Sequence, residues 1–84
     1  MAKVLLTLRV LPEDVNTDLE SIKNEISSKI GAQIKEVPIA FGIVSLYVYT
    51  IIEDKEGEIE RVEKLLKEIK GVGEIEVLEI TRTL

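Results

Sequence analysis

The chain opens on an alternation of apolar and mixed positions. In Lys3 to Leu11 (KVLLTLRVL), Val4, Leu6, Leu8 and Val10 fall on one side of an extended backbone, and Leu5, Thr7, Arg9 and Leu11 on the other. The first set is purely aliphatic and the second is mixed, so the spacing predicts a strand whose first face meets the core. Pro12 has no amide donor and ends the ladder, leaving Pro12-Glu13-Asp14 as a loop. The period then changes. Leu19, Ile22, Ile26 and Ile30 recur at helical spacing, while Glu20, Lys23, Asn24 and Lys29 lie away from them. Thr17-Asp18-Leu19-Glu20 reads as a capping box, in which the Thr17 hydroxyl and the Glu20 carboxylate each satisfy an orphan amide. Gly31 suits the left-handed position just past a helix end, so a helix from about Asp18 to Ile30 is predicted.

A weaker strand pattern follows from Gln33 to Ile39. Its low hydrophobicity and its proline suit the edge of a sheet. Ile43 to Glu53 (IVSLYVYTIIE) is the most strand-like run, rich in β-branched and aromatic residues and suited to a central position. On it Val44, Leu46, Val48 and Ile52 share one face, and Ser45, Tyr47, Tyr49 and Ile51 the other. Asp54-Lys55-Glu56-Gly57 makes a turn. Ile59, Val62, Leu65, Leu66 and Ile69 then stripe a second helix over Glu58 to Lys70, closed by Gly71. In the last strand, Glu74 to Arg82, Ile75 and Val77 are in phase but Leu78 and Ile80 are not. That break predicts a bulge near Val77, or a strand apolar on both faces. Strand, helix and strand occur twice, which predicts an α+β, ferredoxin-like βαββαβ sandwich. Its four-stranded antiparallel sheet carries both helices on one face. Residues 1–84 are expected to form one domain, with no linker and no low-complexity tract.

Composition narrows the chemistry. A chain of 84 residues buries only a modest core, roughly 60–65% of its unfolded surface. Its net charge of −5 opposes a direct nucleic-acid partner. Cysteine and histidine are both absent, which removes disulfides, imidazole–thiolate zinc sites and Ser/His or Cys/His nucleophile pairs. No apolar run approaches the ~20 residues that span a bilayer, and no signal-peptide pattern opens the chain. A cytoplasmic location is expected, with no membrane partner. The acidic run Glu53-Asp54-Lys55-Glu56-Gly57-Glu58 lacks regular ligand spacing and reads as a solvated turn entering a helix, so no metal site is expected. Gly71-Val72-Gly73 follows a helix and precedes a strand, the reverse of a phosphate-binding order, and reads as a cap and a turn. Tyr47 and Tyr49 resemble an RNA-stacking pair, but with sparse basic flanks they are expected to pack across strands on Leu5, Thr7 or Arg9. No carboxylate pair stands out as an acid/base couple, and neither an enzyme nor a cofactor is expected.

What remains is Val37-Pro38-Ile39-Ala40-Phe41-Gly42-Ile43, between the two halves, with the only phenylalanine of the chain. Pro38 and Gly42 predict a bend there. The ring has two possible placements, folded back over the end of its own sheet or turned outward as an anchor. The residues alone favour the first. The segment Glu36 to Ile43 also resembles the P-I-A-F-G-L motif of the archaeal elongation factor 1-beta family and the V-A-F-G-I-K segment of its eukaryotic counterparts. The opening strand with Leu11-Pro12-Glu13, the Asp18-Leu19-Glu20 helix start and the closing Gly71-Val72-Gly73-Glu74-Ile75-Glu76-Val77 extend the likeness over essentially the whole chain.

The resemblance implies a guanine-nucleotide exchange factor for the GTPase elongation factor 1-alpha, releasing GDP so that GTP can bind. It implies a partner-binding set of Pro38, Ala40, Phe41 and Gly42, with Phe41 as the anchor, joined by the terminal residues Arg82, Thr83 and Leu84. Eukaryotic relatives end in Lys-Leu, the lysine reaching the Mg²⁺ site of the GTPase. This chain ends Thr81-Arg82-Thr83-Leu84, with Thr83 at the lysine position and Arg82 as the neighbouring cation. A frayed strand end is the other reading of that tail. An alternative function is an ACT-type small-ligand regulatory module, which shares the βαββαβ order and binds amino acids near the first strand–helix loop. Pro12 to Asn16 lacks the glycine-rich character of such loops. An acylphosphatase-like enzyme would need a phosphate-cradling loop where Pro12-Glu13-Asp14 is acidic.

Overall fold

The computed structural model describes residues 2–82. All six predicted elements form in the predicted order: β1 (Lys3–Pro12), α1 (Leu19–Lys29), β2 (Ala32–Pro38), β3 (Val44–Glu53), α2 (Glu58–Lys67) and β4 (Val72–Arg82). They build a four-stranded antiparallel sheet in the order β2-β3-β1-β4. The polar, proline-bearing β2 lies at an edge and the aliphatic β3 lies inside, as their compositions predict.

The alternating face of β1 decides where the core sits. Val4, Leu6, Leu8 and Val10 are buried, and they meet Leu46, Val48 and Ile52 of β3 on the same side of the sheet. Ile22 and Ile26 of α1 and Val62 and Leu66 of α2 close over this layer, so both helices cover one face. Each fully buried aliphatic side chain contributes about 1.5–3 kcal/mol relative to exposure. On β4 the register slips between Thr7↔Glu79 and Leu8↔Val77, so Leu78 is the extra residue of a bulge. The broken alternation of that strand therefore has the first of its two expected causes.

Four local details differ from the sequence reading. Thr17 does not cap α1. Its hydroxyl accepts from the Asp14 amide at 3.2 Å in a turn of its own, and the cap is Asp18, whose carboxylate accepts from the Ser21 amide at 3.2 Å. Glu20 turns to Lys23 at 2.9 Å instead of reaching back to the cap. Gly31 is not left-handed either. The chain leaves α1 through an extended Ile30, and the Gly31 carbonyl accepts from the Thr50 hydroxyl at 2.7 Å. Helix α2 ends at Lys67, not Lys70, because a tighter last turn, with Ile69 N–H bonded to the Leu66 carbonyl at 3.2 Å, tucks Ile69 into the core. Gly71, at φ 98°, then makes the left-handed turn into β4.

Candidate partner-binding site

The hairpin joining β2 to β3 is built by two backbone hydrogen bonds and two left-handed residues. The Ile39 amide donates to the Ile43 carbonyl, and the Ile43 amide to the Ala40 carbonyl, each at 3.0 Å. Between them Phe41 (φ 55°) and Gly42 (φ 77°) are both at positive φ, the pattern of a type I′ turn. Glycine adopts this conformation freely, whereas phenylalanine does so at a cost of roughly 1–2 kcal/mol. Phe41 is the only non-glycine residue with positive φ among those described.

The turn aims the ring away from the protein. Phe41 is 96% exposed, and its hairpin neighbour Ile39 is 48% exposed. This overturns the expectation, drawn from the residues alone, that the ring folds back over its own sheet. A two-residue turn at the tip of a hairpin leaves no surface of the same chain within reach. Leaving a phenylalanine in water forgoes about 1.5–3 kcal/mol of burial, on top of the backbone strain. Pro38, Ala40 and Gly42 are exposed beside it. Ile39 joins this surface although the sequence did not single it out; its place in an apolar run at a turn was the available signal.

The root of the hairpin is stiff. Ser45 is fully buried on the face without helices, and its hydroxyl donates to the Val37 carbonyl at 2.8 Å, across the Val37↔Ser45 pair. Pro38, paired with Val44, follows at the sheet edge with no amide to leave unsatisfied. From the helix side, Lys23 Nζ reaches Glu36 at 2.6 Å and Glu20 at 2.9 Å, tying α1 to the strand that leads into the turn. Hydrogen bonds to Glu20 and then Glu36 raise the Lys23 ammonium to about 12.

Arg82 is elsewhere. Arg82 pairs with Val4, which in turn faces Ile52 near the far end of β3, whereas the Phe41 hairpin departs at Val44. At about 3.3 Å per residue, the stretch of β3 from Val44 to Ile52 alone separates them by roughly 26 Å. They also sit on opposite edges, β2 against β4. Arg82 is exposed, with Nη1 3.7 Å from Asp54 Oδ2. Strand pairing continues to Arg82, and Thr83 and Leu84 lie outside the described residues. The structure thus gathers Pro38, Ala40, Phe41 and Gly42 into one tip and leaves Arg82 at the diagonal corner.

One other surface feature bears on chemistry. A groove of about 430 Å³ beside the first strand–helix loop is lined by Glu13, Asp14 and Asp18 together with Asn16 and Lys70. Its acidic character does not suit an amino-acid carboxylate. No group of acidic residues that could hold a metal ion occurs among the described residues. Among the described residues no helix is long and apolar enough to cross a membrane.

Residues 5–83 match the family described as the EF-1 guanine nucleotide exchange domain. The chain belongs to that family. An elongation factor 1-beta of Methanothermobacter thermautotrophicus is 40% identical over 89 aligned positions, covering 100% of both chains. The counterpart from Staphylothermus marinus is 42% identical over 98% of each, and that from Thermoplasma volcanium 40% identical over 89% of this chain and 91% of its own. Family membership gives the chain a nucleotide-exchange role in translation elongation. Among solved structures, the ACT domain of a GTP pyrophosphokinase from Chlorobium tepidum superposes with a TM-score of 0.58, covering 90% of this chain and 99% of that one. At 23% identity this likeness concerns the fold alone.

Proposed function

We propose that residues 1–84 act as one guanine-nucleotide exchange domain in the cytoplasm, promoting GDP release from the GTPase elongation factor 1-alpha so that GTP can reload. The observation that carries this reading is the Phe41 ring, held outward by a strained turn and 96% exposed. An apolar ring of this kind gains its burial energy only on a partner, and rigid aromatic anchors dominate small interfaces. Because the turn and its root are preformed, little ordering entropy opposes docking. Pro38, Ala40 and Gly42 would frame the ring in the same contact.

No bond is made or broken in such a role. The exchange domain and the nucleotide each lower the affinity of the GTPase for the other, a reciprocal coupling. A GTPase of this class holds its nucleotide through a P-loop and a Mg²⁺ ion of its own, and displacing those elements suffices to release it. Arg82, Thr83 and Leu84 would act at a second contact, of which Arg82 lies roughly 26 Å or more from the first by strand length. Two contacts that far apart would let one docked domain brace on the first and push at the second.

The test is release of labelled GDP from elongation factor 1-alpha. Sub-stoichiometric protein should accelerate it, since each molecule is reused. Absence of acceleration with the cognate GTPase would remove the proposal.

A further inference from the structure

We propose that the helix-free face of the sheet is a self-complementary surface on which a second copy of this chain docks face to face, about a two-fold axis running along the strands. The centre of this face is apolar and aromatic. The register sets Leu5 beside Ile51, Thr7 beside Tyr49 and Arg9 beside Tyr47. Ile51 is 59% exposed, and both described helices lie on the opposite side. The edges carry opposite charge. On β2, Lys35 continues the Tyr47–Arg9 row; on β4, Glu76 ends it, and Glu79 ends the neighbouring row of Gln33, Tyr49 and Thr7.

A two-fold axis parallel to the strands lays β2 of one copy over β4 of the other, and β3 over β1. Within one copy Glu76 is paired with Arg9 across β4 and β1; Lys35 then opposes Glu76 of the second copy and extends that pair, while Tyr47 lies over the same guanidinium. An axis across the strands would instead lay β2 over β2 and the glutamate-bearing β4 over β4, setting each edge against its own charge. The charges therefore select one orientation. Four strands about 4.8 Å apart and about eight residues long offer roughly 500 Å² per copy, hence roughly 1,000 Å² in all, the lower bound for a specific interface. Both Phe41 tips would project past the same end of the sandwich, clear of the contact. The inference is independent of the exchange reading, because it concerns assembly alone.

Sedimentation and light scattering from about 1 µM to 1 mM would test it, a range bracketing weak to moderate association. The expected result is a concentration-dependent dimer that Ile51→Lys converts to a monomer; that side chain is exposed in a single copy, so its replacement leaves the fold intact. Lys35→Glu and Glu76→Lys, the second of which also removes the Arg9 pair of its own chain, should each be monomeric alone yet dimerise when mixed, since the mixed pair restores both charge contacts between copies. A monomer throughout the range overturns the proposal. So does a dimer indifferent to Ile51→Lys, which would place the contact at a sheet edge, and so does failure of the two charge variants to rescue one another.

Discussion

At the hairpin end of the sheet, Phe41 is set by a left-handed backbone, a buried Ser45 hydroxyl at the root and a lysine clip from α1; at the diagonal corner, Arg82 simply continues an edge strand and touches Asp54 at 3.7 Å. The first arrangement costs backbone strain and an unburied ring. The second costs almost nothing. Folding alone gives no reason to retain the first, so the strained, exposed corner is the one whose energetics require a partner. The Arg82 side chain at the relaxed corner is exposed, so a contribution from it should show mainly in activity.

Substitutions can break this contrast. Phe41→Ala should give the largest effect, a loss of exchange activity of about 30- to 1,000-fold, corresponding to a hot-spot anchor of about 2–4 kcal/mol. The melting temperature should stay essentially unchanged, since the ring is almost wholly exposed in its own chain. A large drop in melting temperature would show that the ring supports the fold, contrary to its exposure. Gly42→Val tests the turn itself. A β-branched residue at φ 77° should destabilise by about 1–3 kcal/mol in denaturant unfolding and lower exchange by roughly tenfold as Phe41 is re-aimed. Arg82→Ala should change stability by less than about 0.5 kcal/mol and exchange by less than tenfold. Combined with Phe41→Ala, its effect on exchange should be additive within about 0.5 kcal/mol, given the distance between the corners.

The smallest effect concerns pH. Lys23 has its pKa raised to about 12 by Glu20 and Glu36, so its clip to β2 stabilises fully below the ordinary lysine range and is lost as pH rises through about 12. Glu58 behaves oppositely. The Arg61 guanidinium, at 2.9 Å, holds its carboxyl below the ordinary carboxylate range, so that pair stabilises above this range and fades as pH falls through the lowered value. Thermal melts of Lys23→Met against pH should therefore differ from the parent at neutral pH and converge with it at the alkaline end.

Much of the fold was legible from local chemistry. The two-residue period of β1 and the aliphatic stripe of α2 place the core, and the phase break at Leu78 announces the bulge. The cap of α1 was misread because Thr17 and Asp18 both suit it; the choice fell to Asp18 once Asp14 had engaged Thr17 in a separate turn. Gly31 looked like a helix cap for the same kind of reason. Its actual conformation follows from the pull of β2 into register with Thr50, a contact far away in sequence. Within the candidate site, Pro38, Phe41 and Gly42 could be named from their residue types, but the direction of the ring could not.

The sequence by itself determined the order of elements, the face that is buried and the presence of a turn around Phe41, because periodicity, propensity and glycine or proline backbone limits act over a few residues. Only the tertiary structure decided that this turn ends a hairpin with nothing above it and that Arg82 lies at the opposite corner. It also left one side of the sheet bare. Those outcomes depend on which strands pair and in what register, and pairing energies link residues tens of positions apart.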